Sequence, residues 1–320
     1  MKRWAICLVL LLSAQQGLCA DSASPRDHPG ARWGHAFIYD AFRGEFLLFG
    51  GASGRGSYLG DTWVWDGTAW KEMEVSGPSA RGFSAVTFHE NRKTIILHGG
   101  RGDEGAVHSD TWEWNGTGWV QLEENGPYSA DHHQMVYLPA ENRILAFGGW
   151  NGEGVSGDTW FWSGDWKRSE VASPPKRASF GMAYDRSEDK IKLFGGLWIN
   201  GQYADLWEWS GSAWRAVGGA YDRSSLDHHT MFYDEKLQKV ILFGGKNYRY
   251  VMQGNTLAID GGEFQVLSSE GPPARHSAGM AYDGKRQLGF LYGGKVYEGD
   301  QQIPLADLWQ WDGASWKQLE

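Results

Sequence analysis

Six apolar runs in this chain end in an aromatic residue or histidine followed by two glycines: Phe49-Gly50-Gly51, His98-Gly99-Gly100, Phe147-Gly148-Gly149, Phe194-Gly195-Gly196, Phe243-Gly244-Gly245 and Tyr292-Gly293-Gly294. The first glycines of successive copies lie 49, 49, 47, 49 and 49 residues apart. A period of that size, kept six times, marks a repeat architecture. Each copy is one supersecondary unit that buries its apolar surface against its neighbours.

Tryptophan keeps the same register. Of 19 Trp, all but Trp4, Trp33, Trp150 and Trp198 fall into five triplets: Trp63, Trp65, Trp70; Trp112, Trp114, Trp119; Trp160, Trp162, Trp166; Trp207, Trp209, Trp214; and Trp309, Trp311, Trp316. The fifth copy has Leu257, Ile259 and Phe264 at those places, so apolarity persists where indole does not.

The fourth copy shows how one unit folds. Arg177 to Tyr184 reads as a first strand, Lys190 to Phe194 as a second, Asp205 to Trp209 as a third and Ala213 to Val217 as a fourth. Asp185 to Glu188 and Ser210 to Ser212 supply short turns, and Leu197 to Ala204 a longer loop. Four short strands with period-2 patterning and no helical periodicity make one antiparallel sheet. Six such sheets set radially make an all-β, six-bladed β-propeller. The glycine pairs let the backbone turn and another strand approach closely. An aspartate opens the third strand in five copies (Asp61, Asp110, Asp158, Asp205, Asp307), with Asn255 in the fifth, and suits a turn whose amides it accepts.

Residues 1–20 read as a secretory signal: Lys2 and Arg3, an apolar run from Trp4 to Ala14, and Leu18-Cys19-Ala20 before Asp21. The run is too short to span a bilayer, so no membrane insertion is expected after cleavage. Both cysteines, Cys7 and Cys19, lie in it, which leaves a mature chain without disulfides or thiol chemistry. Loss of Lys2 and Arg3 takes the formal charge from −9 to −11. An acidic chain with no basic run is a poor nucleic-acid binder. Residues 21–30, with Pro25, Pro29 and Gly30, read as a flexible segment; residues 31–320 divide into blades at about 31–78, 79–127, 128–174, 175–222, 223–272 and 273–320.

The Arg-x-x-His-x-x-x-Tyr-Asp opening at Arg32 to Asp40, the glycine pair, the Asp-Thr-Trp-x-Trp-Asp-Gly segment at Asp61 to Gly67 and the Trp that follows resemble the kelch repeat, in its Trp-rich secreted bacterial form. The resemblance covers about residues 31–320 and implies a kelch-type propeller of four strands per blade. It leaves function open, because kelch propellers include enzymes, sugar binders and protein-interaction scaffolds. Copper-radical chemistry of the galactose-oxidase kind needs a Cys-modified Tyr, which a mature chain without cysteine cannot form. The chain starts at a first strand near Arg32 and stops at a fourth near Leu319, so blades one and six are expected to meet through side-chain packing alone.

Strand alternation puts the start of every first strand and every second-to-third loop on one face. That face varies from copy to copy, which is where a rigid scaffold carries function. Its candidates for ligand contact are Trp150, Trp198 and Tyr203, and above all Lys246, Tyr248, Arg249 and Tyr250 from the aberrant fifth blade. Aromatic rings among polar side chains suit the faces and hydroxyls of a sugar, or a peptide. Arg32, Arg81, Arg177 and Arg275 open four first strands near the channel and suit a carboxylate, the competing reading being an ion pair inside each blade.

Blades three and five replace that arginine by Ala130 and Leu226, followed by Asp131-His132-His133 and Asp227-His228-His229. His133 and His229 align with His35 at threefold-related places, donors of the kind that bind Zn²⁺, but channel width separates them; no metal or cofactor is expected. Asp131, His132, Asp227, His228 and His276 remain as binding candidates that the repeat does not require. A non-catalytic secreted or periplasmic module recognising a glycan or a protein is the first reading. The resemblance also allows an enzyme like the periplasmic kelch mutarotase of sialic acid, in which the four arginines hold the sugar acid and His132 or His228 moves the proton. A structural envelope component is the third.

Overall fold

The computed structural model describes residues 27–54, 57–126, 128–219 and 225–320; the signal sequence read above lies outside them. Six sheets of four antiparallel strands, each in chain order, form a six-bladed β-propeller with no α-helix among the described residues. Blade one is Ala36–Asp40, Glu45–Phe49, Thr62–Trp65 and Trp70–Met73. The first strands of successive blades pack side by side around the central axis, with Ala36–Asp40 touching those of both blade two and blade six.

Second strands such as Phe46-Leu47-Leu48-Phe49 are buried along their length and read as continuous apolar runs, because each lies between two neighbouring blades. The core is accordingly divided into six clusters, one per interface. Between blades six and one, Phe46 packs on Phe290 with ring centroids 5.0 Å apart and Trp65 on Phe290 at 4.9 Å.

The indoles also stitch blades together. Trp119, Trp166, Trp214 and Trp316 each donate Nε1–H to a threonine that begins the third strand of the preceding blade: Thr62, Thr111, Thr159 and Thr256, at 3.0, 2.9, 3.1 and 2.7 Å. Blade four offers Leu206 at that place, and the fifth blade meets it with Phe264, which has no N–H to satisfy. Blade six offers Leu308 to Trp70, whose Nε1 finds no partner.

Two details depart from the sequence reading. In blade four the first strand starts at Gly181 rather than Arg177, because residues 177–180 run through a left-handed turn at Ser179 (φ 57°). The loop from Leu197 carries its own short hairpin, Leu197–Trp198 against Gly201–Gln202.

Ser179 belongs to a ring. Gly34, Phe83, His132, Ser179, His228 and Ser277 occupy the same place in the six blades, and all have φ between 54° and 62°. Each donates its amide to the carbonyl of its counterpart in the preceding blade: Phe83 to Gly34 at 2.6 Å, His132 to Phe83 at 3.0 Å, Ser179 to His132 at 2.9 Å, His228 to Ser179 at 2.7 Å and Ser277 to His228 at 2.9 Å. Gly34 closes the circle onto Ser277 at 2.8 Å.

Closure between the first and last blades therefore does not rest on side chains alone, as the sequence suggested. Besides the Gly34 bond, Arg32 N–H reaches Leu305 O at 3.0 Å and Gly294 N–H reaches Arg32 O at 2.9 Å. Arg81 with Leu59, and Gly51 with Arg81, make the same pair of bonds one blade on. The segment expected to be flexible also takes part at its end, since Tyr292 donates its hydroxyl to Gly30 O at 3.1 Å and Pro29 is buried.

Candidate functional site

The four arginines turn inward to their own blades. Arg32, Arg81, Arg177 and Arg275 are essentially inaccessible to solvent. Each pairs with the aspartate opening its third strand, at 2.7, 2.5, 2.6 and 2.5 Å from Asp61, Asp110, Asp205 and Asp307, and each donates to the carbonyl of the first glycine of the pair. Trp63, Trp112, Trp207 and Trp309 add their Nε1–H to the same carboxylates. These aspartates thus accept from arginine and indole, not from turn amides as expected, and the arginines are filled by a carboxylate of the protein itself. In blade three, which lacks the arginine, Tyr128 hydroxyl takes over the glycine carbonyl, Gly148 O, at 2.5 Å.

With the arginines used inside the blades, the polar groups aimed at the channel mouth come from the ring. His132 holds Asp131 through Nδ1 at 2.5 Å, and His228 holds Asp227 through Nδ1 at 2.6 Å. Their imidazoles meet edge to face with centroids 5.3 Å apart. The left-handed backbone at each histidine (φ 54° and 55°) turns its side chain out of the strand pattern, a strain that the closed ring of amide bonds sustains. Phe83 stacks on His132 at 3.8 Å, and His276 packs on His228 at 5.5 Å.

The fifth and sixth blades roof this cluster. Tyr297 stacks on His276 at 5.5 Å and Tyr250 meets Tyr297 at 6.2 Å. Lys246 reaches Asp227 at 3.2 Å while its ammonium also lies 4.7 Å from the Tyr250 ring centre. Gln202 donates to the other Asp227 oxygen. On the opposite side Arg101 lies 3.3 Å from Asp131. Lys295 sits 4.4 Å from the Trp33 ring centre, and burial, helped by the charge of Lys246, lowers its pKa to about 8. Beneath these groups lies a cavity of about 110 Å³ lined by Phe83, His132, Ser179, His228 and Ser277 among others.

The charge states follow from these contacts. Burial lowers the His228 pKa below the usual value, more than Asp227 raises it, with His132 and Lys246 adding to the lowering. Burial opposes the Asp227 carboxylate too, but its bond to His228 and the charge of Lys246 outweigh this and lower its pKa. At neutral pH Asp227 is therefore an anion and His228 a neutral ring. The anion only accepts, so His228 carries its proton on Nδ1 and presents a basic Nε2.

Of the residues singled out from sequence, Asp131, His132, Asp227, His228, His276, Lys246 and Tyr250 come together at the mouth. Tyr248 is 64% exposed, with Arg249 over its ring at 5.3 Å, and this pair projects to solvent. Trp150 sits beside Asp131 through two backbone bonds, and Trp198 packs on Tyr203, whose ring covers the buried Arg177 guanidinium at 4.2 Å. Among the described residues no three His, Cys, Asp or Glu side chains converge as a metal site. Ser179, Phe83, Gln202 and Lys295 were missed. Aligning the six copies on their glycine pairs exposes the first two, since that alignment puts Gly, Phe, His, Ser, His and Ser at one shared place.

The chain is thus a six-bladed β-propeller with a polar, imidazole-rich site at one end of its channel. A solved structure described as "Structure of YjhT" is similar to it, with a TM-score of 0.68 and 13% identity over 89% of this chain and 96% of that one. At that identity the likeness speaks for the fold alone. No protein-family model matches the chain, and no curated protein matches it in sequence.

Proposed function

We propose that this chain is a secreted, kelch-type propeller that binds a saccharide at the mouth of its channel, on the variable-loop face. The observation that carries this reading is the facing pair of Asp-held imidazoles at 5.3 Å, at ring places where the other blades carry Gly, Phe or Ser, roofed by Tyr250 and Tyr297. Fixed donors and acceptors beside exposed aromatic faces suit a sugar's hydroxyls and its apolar C–H faces. Lys295, bonded to Gln302 and not to a carboxylate, adds positive charge at the rim, which favours a sugar bearing an acidic group. A panel of neutral and acidic glycans titrated against the purified chain tests the reading: saturable binding of an acidic member supports it, and uniform absence of binding removes it.

A second reading, a mutarotase-like enzyme, draws support from the neutral His228 with its free base at Nε2, a group suited to proton transfer. Its carboxylate contact would be Lys295, held by Gln302, since the four arginines, Lys246 and Arg101 are paired with aspartates. Exchange at the anomeric centre, followed by NMR, separates the two: acceleration over buffer marks the enzyme.

A further inference from the structure

His228 has a second partner that neither reading uses. Its Nε2 lies 3.2 Å from the hydroxyl of Ser179, while its Nδ1 is held by Asp227 at 2.6 Å. Asp227 is in turn fixed by Lys246 at 3.2 Å and by Gln202. Serine hydroxyl, imidazole and buried carboxylate are thus linked in one line across blades four and five. We infer that Ser179, His228 and Asp227 form a nucleophile, general base and orienting carboxylate, able to cleave an ester of a short acyl group.

Three observations support the assignment. The tautomer is the required one, because the Asp227 anion takes the Nδ1 proton and leaves Nε2 free to accept from Ser179 Oγ–H. Ser179 holds a ring place, left-handed as in all six blades (φ 57°), and its carbonyl accepts the His228 amide at 2.7 Å, which fixes the two residues against each other. Both Ser179 and His228 line the 110 Å³ cavity, whose size suits a short acyl chain.

The chemistry balances with water as the only co-reactant. Ser179 Oγ bonds to the ester carbonyl carbon as its proton passes to His228 Nε2. The carbon–oxygen bond to the leaving alcohol breaks, and the alcohol departs with that proton. Water then attacks the acyl carbon, giving a proton to Nε2; the bond to Oγ breaks, the acid is released and Oγ recovers its proton.

This goes beyond the saccharide reading and is tested without any saccharide. The full chain is treated at pH 8 with an alkyl fluorophosphonate, in which Oγ replaces fluoride on phosphorus. The expected result is one adduct per chain, on the peptide carrying Ser179. The adduct disappears in Ser179→Gly, a substitution the backbone accepts because Gly34 holds the same ring place in blade one. In His228→Gln the labelling rate falls by at least about a hundredfold and loses its rise with pH. Circular dichroism and thermal melting of both variants establish that they are folded. No adduct, an adduct elsewhere, or unchanged labelling of folded His228→Gln overturns the assignment, and leaves the saccharide reading standing.

Discussion

At the residue scale, the histidines of this chain do opposite things according to what surrounds them. His98 replaces the aromatic of the glycine motif and is wired through: Trp166 donates to Thr111 Oγ1 at 2.9 Å, Thr111 to His98 Nδ1 at 3.0 Å, and His98 Nε2 to Tyr128 O at 2.8 Å. His35 instead lies buried beside the channel with both ring nitrogens unpaired, and His229 is buried against Phe194. Burial lowers their pKa values, to about 3 for His35 and about 4 for His98 and His229. The folded state therefore binds fewer protons than the unfolded one below pH 6.5, and stability falls as pH drops. By pH 4.5 the loss is on the order of 2 kcal/mol per histidine. The Asp110, Asp205 and Asp307 pKa values, raised by burial but lowered further by their arginines, add a loss of the same sign below about pH 4. Urea unfolding at pH 7.5 and pH 4.5 checks this; equal stability at the two values contradicts it.

At the scale of the element, the blade was almost fully legible, because strand order, turns and core positions follow from period-2 patterning and the glycine pairs. The replacement of Trp by Phe264 was visible but not explicable from sequence. Its reason lies on the preceding blade, where Leu206 offers no oxygen in place of threonine. The same logic separates two tryptophans of similar burial. Trp119→Phe leaves the buried Thr62 hydroxyl without its donor and costs about 1–3 kcal/mol beyond the loss of apolar area. Trp70→Phe removes an N–H that had no partner, so its cost is smaller by about that difference. Denaturant melts of the two variants measure the gap; equal costs contradict the stitch. The Gly99 and Gly100 pair also shows why glycine is kept: at Gly99 (φ 64°) an added Cβ would lie 2.3 Å from Ala130 O, the carbonyl of the next blade.

At the scale of the whole molecule, sequence gave the number of blades but not how they join. The Asp-His pairs stood out because they break the repeat, whereas Ser179 did not, being an ordinary serine until the ring places it 3.2 Å from His228. The arginines were misleading for the converse reason: an arginine near a channel suggests a ligand, and only the fold shows that Asp61 and its equivalents already satisfy it. A ring of six amide bonds that includes the closing junction predicts that the Gly34 amide exchanges within about tenfold of the Ser179 amide, since both open with the same structure. Hydrogen exchange resolves the two, and much faster exchange at Gly34 and Ser277 would restore a weak seam there.

The central claim is that function lies at the channel mouth and not at the solvent-facing Tyr248 and Arg249 of the fifth-blade loop. It is tested by calorimetric titration of the tightest-binding glycan into the native chain, His228→Gln, and the double variant Tyr248→Ala with Arg249→Ala. The account predicts that affinity falls at least about tenfold, roughly 1.4 kcal/mol, in His228→Gln and changes less than about twofold in the double variant. Unchanged affinity in His228→Gln together with its loss in the double variant would contradict it.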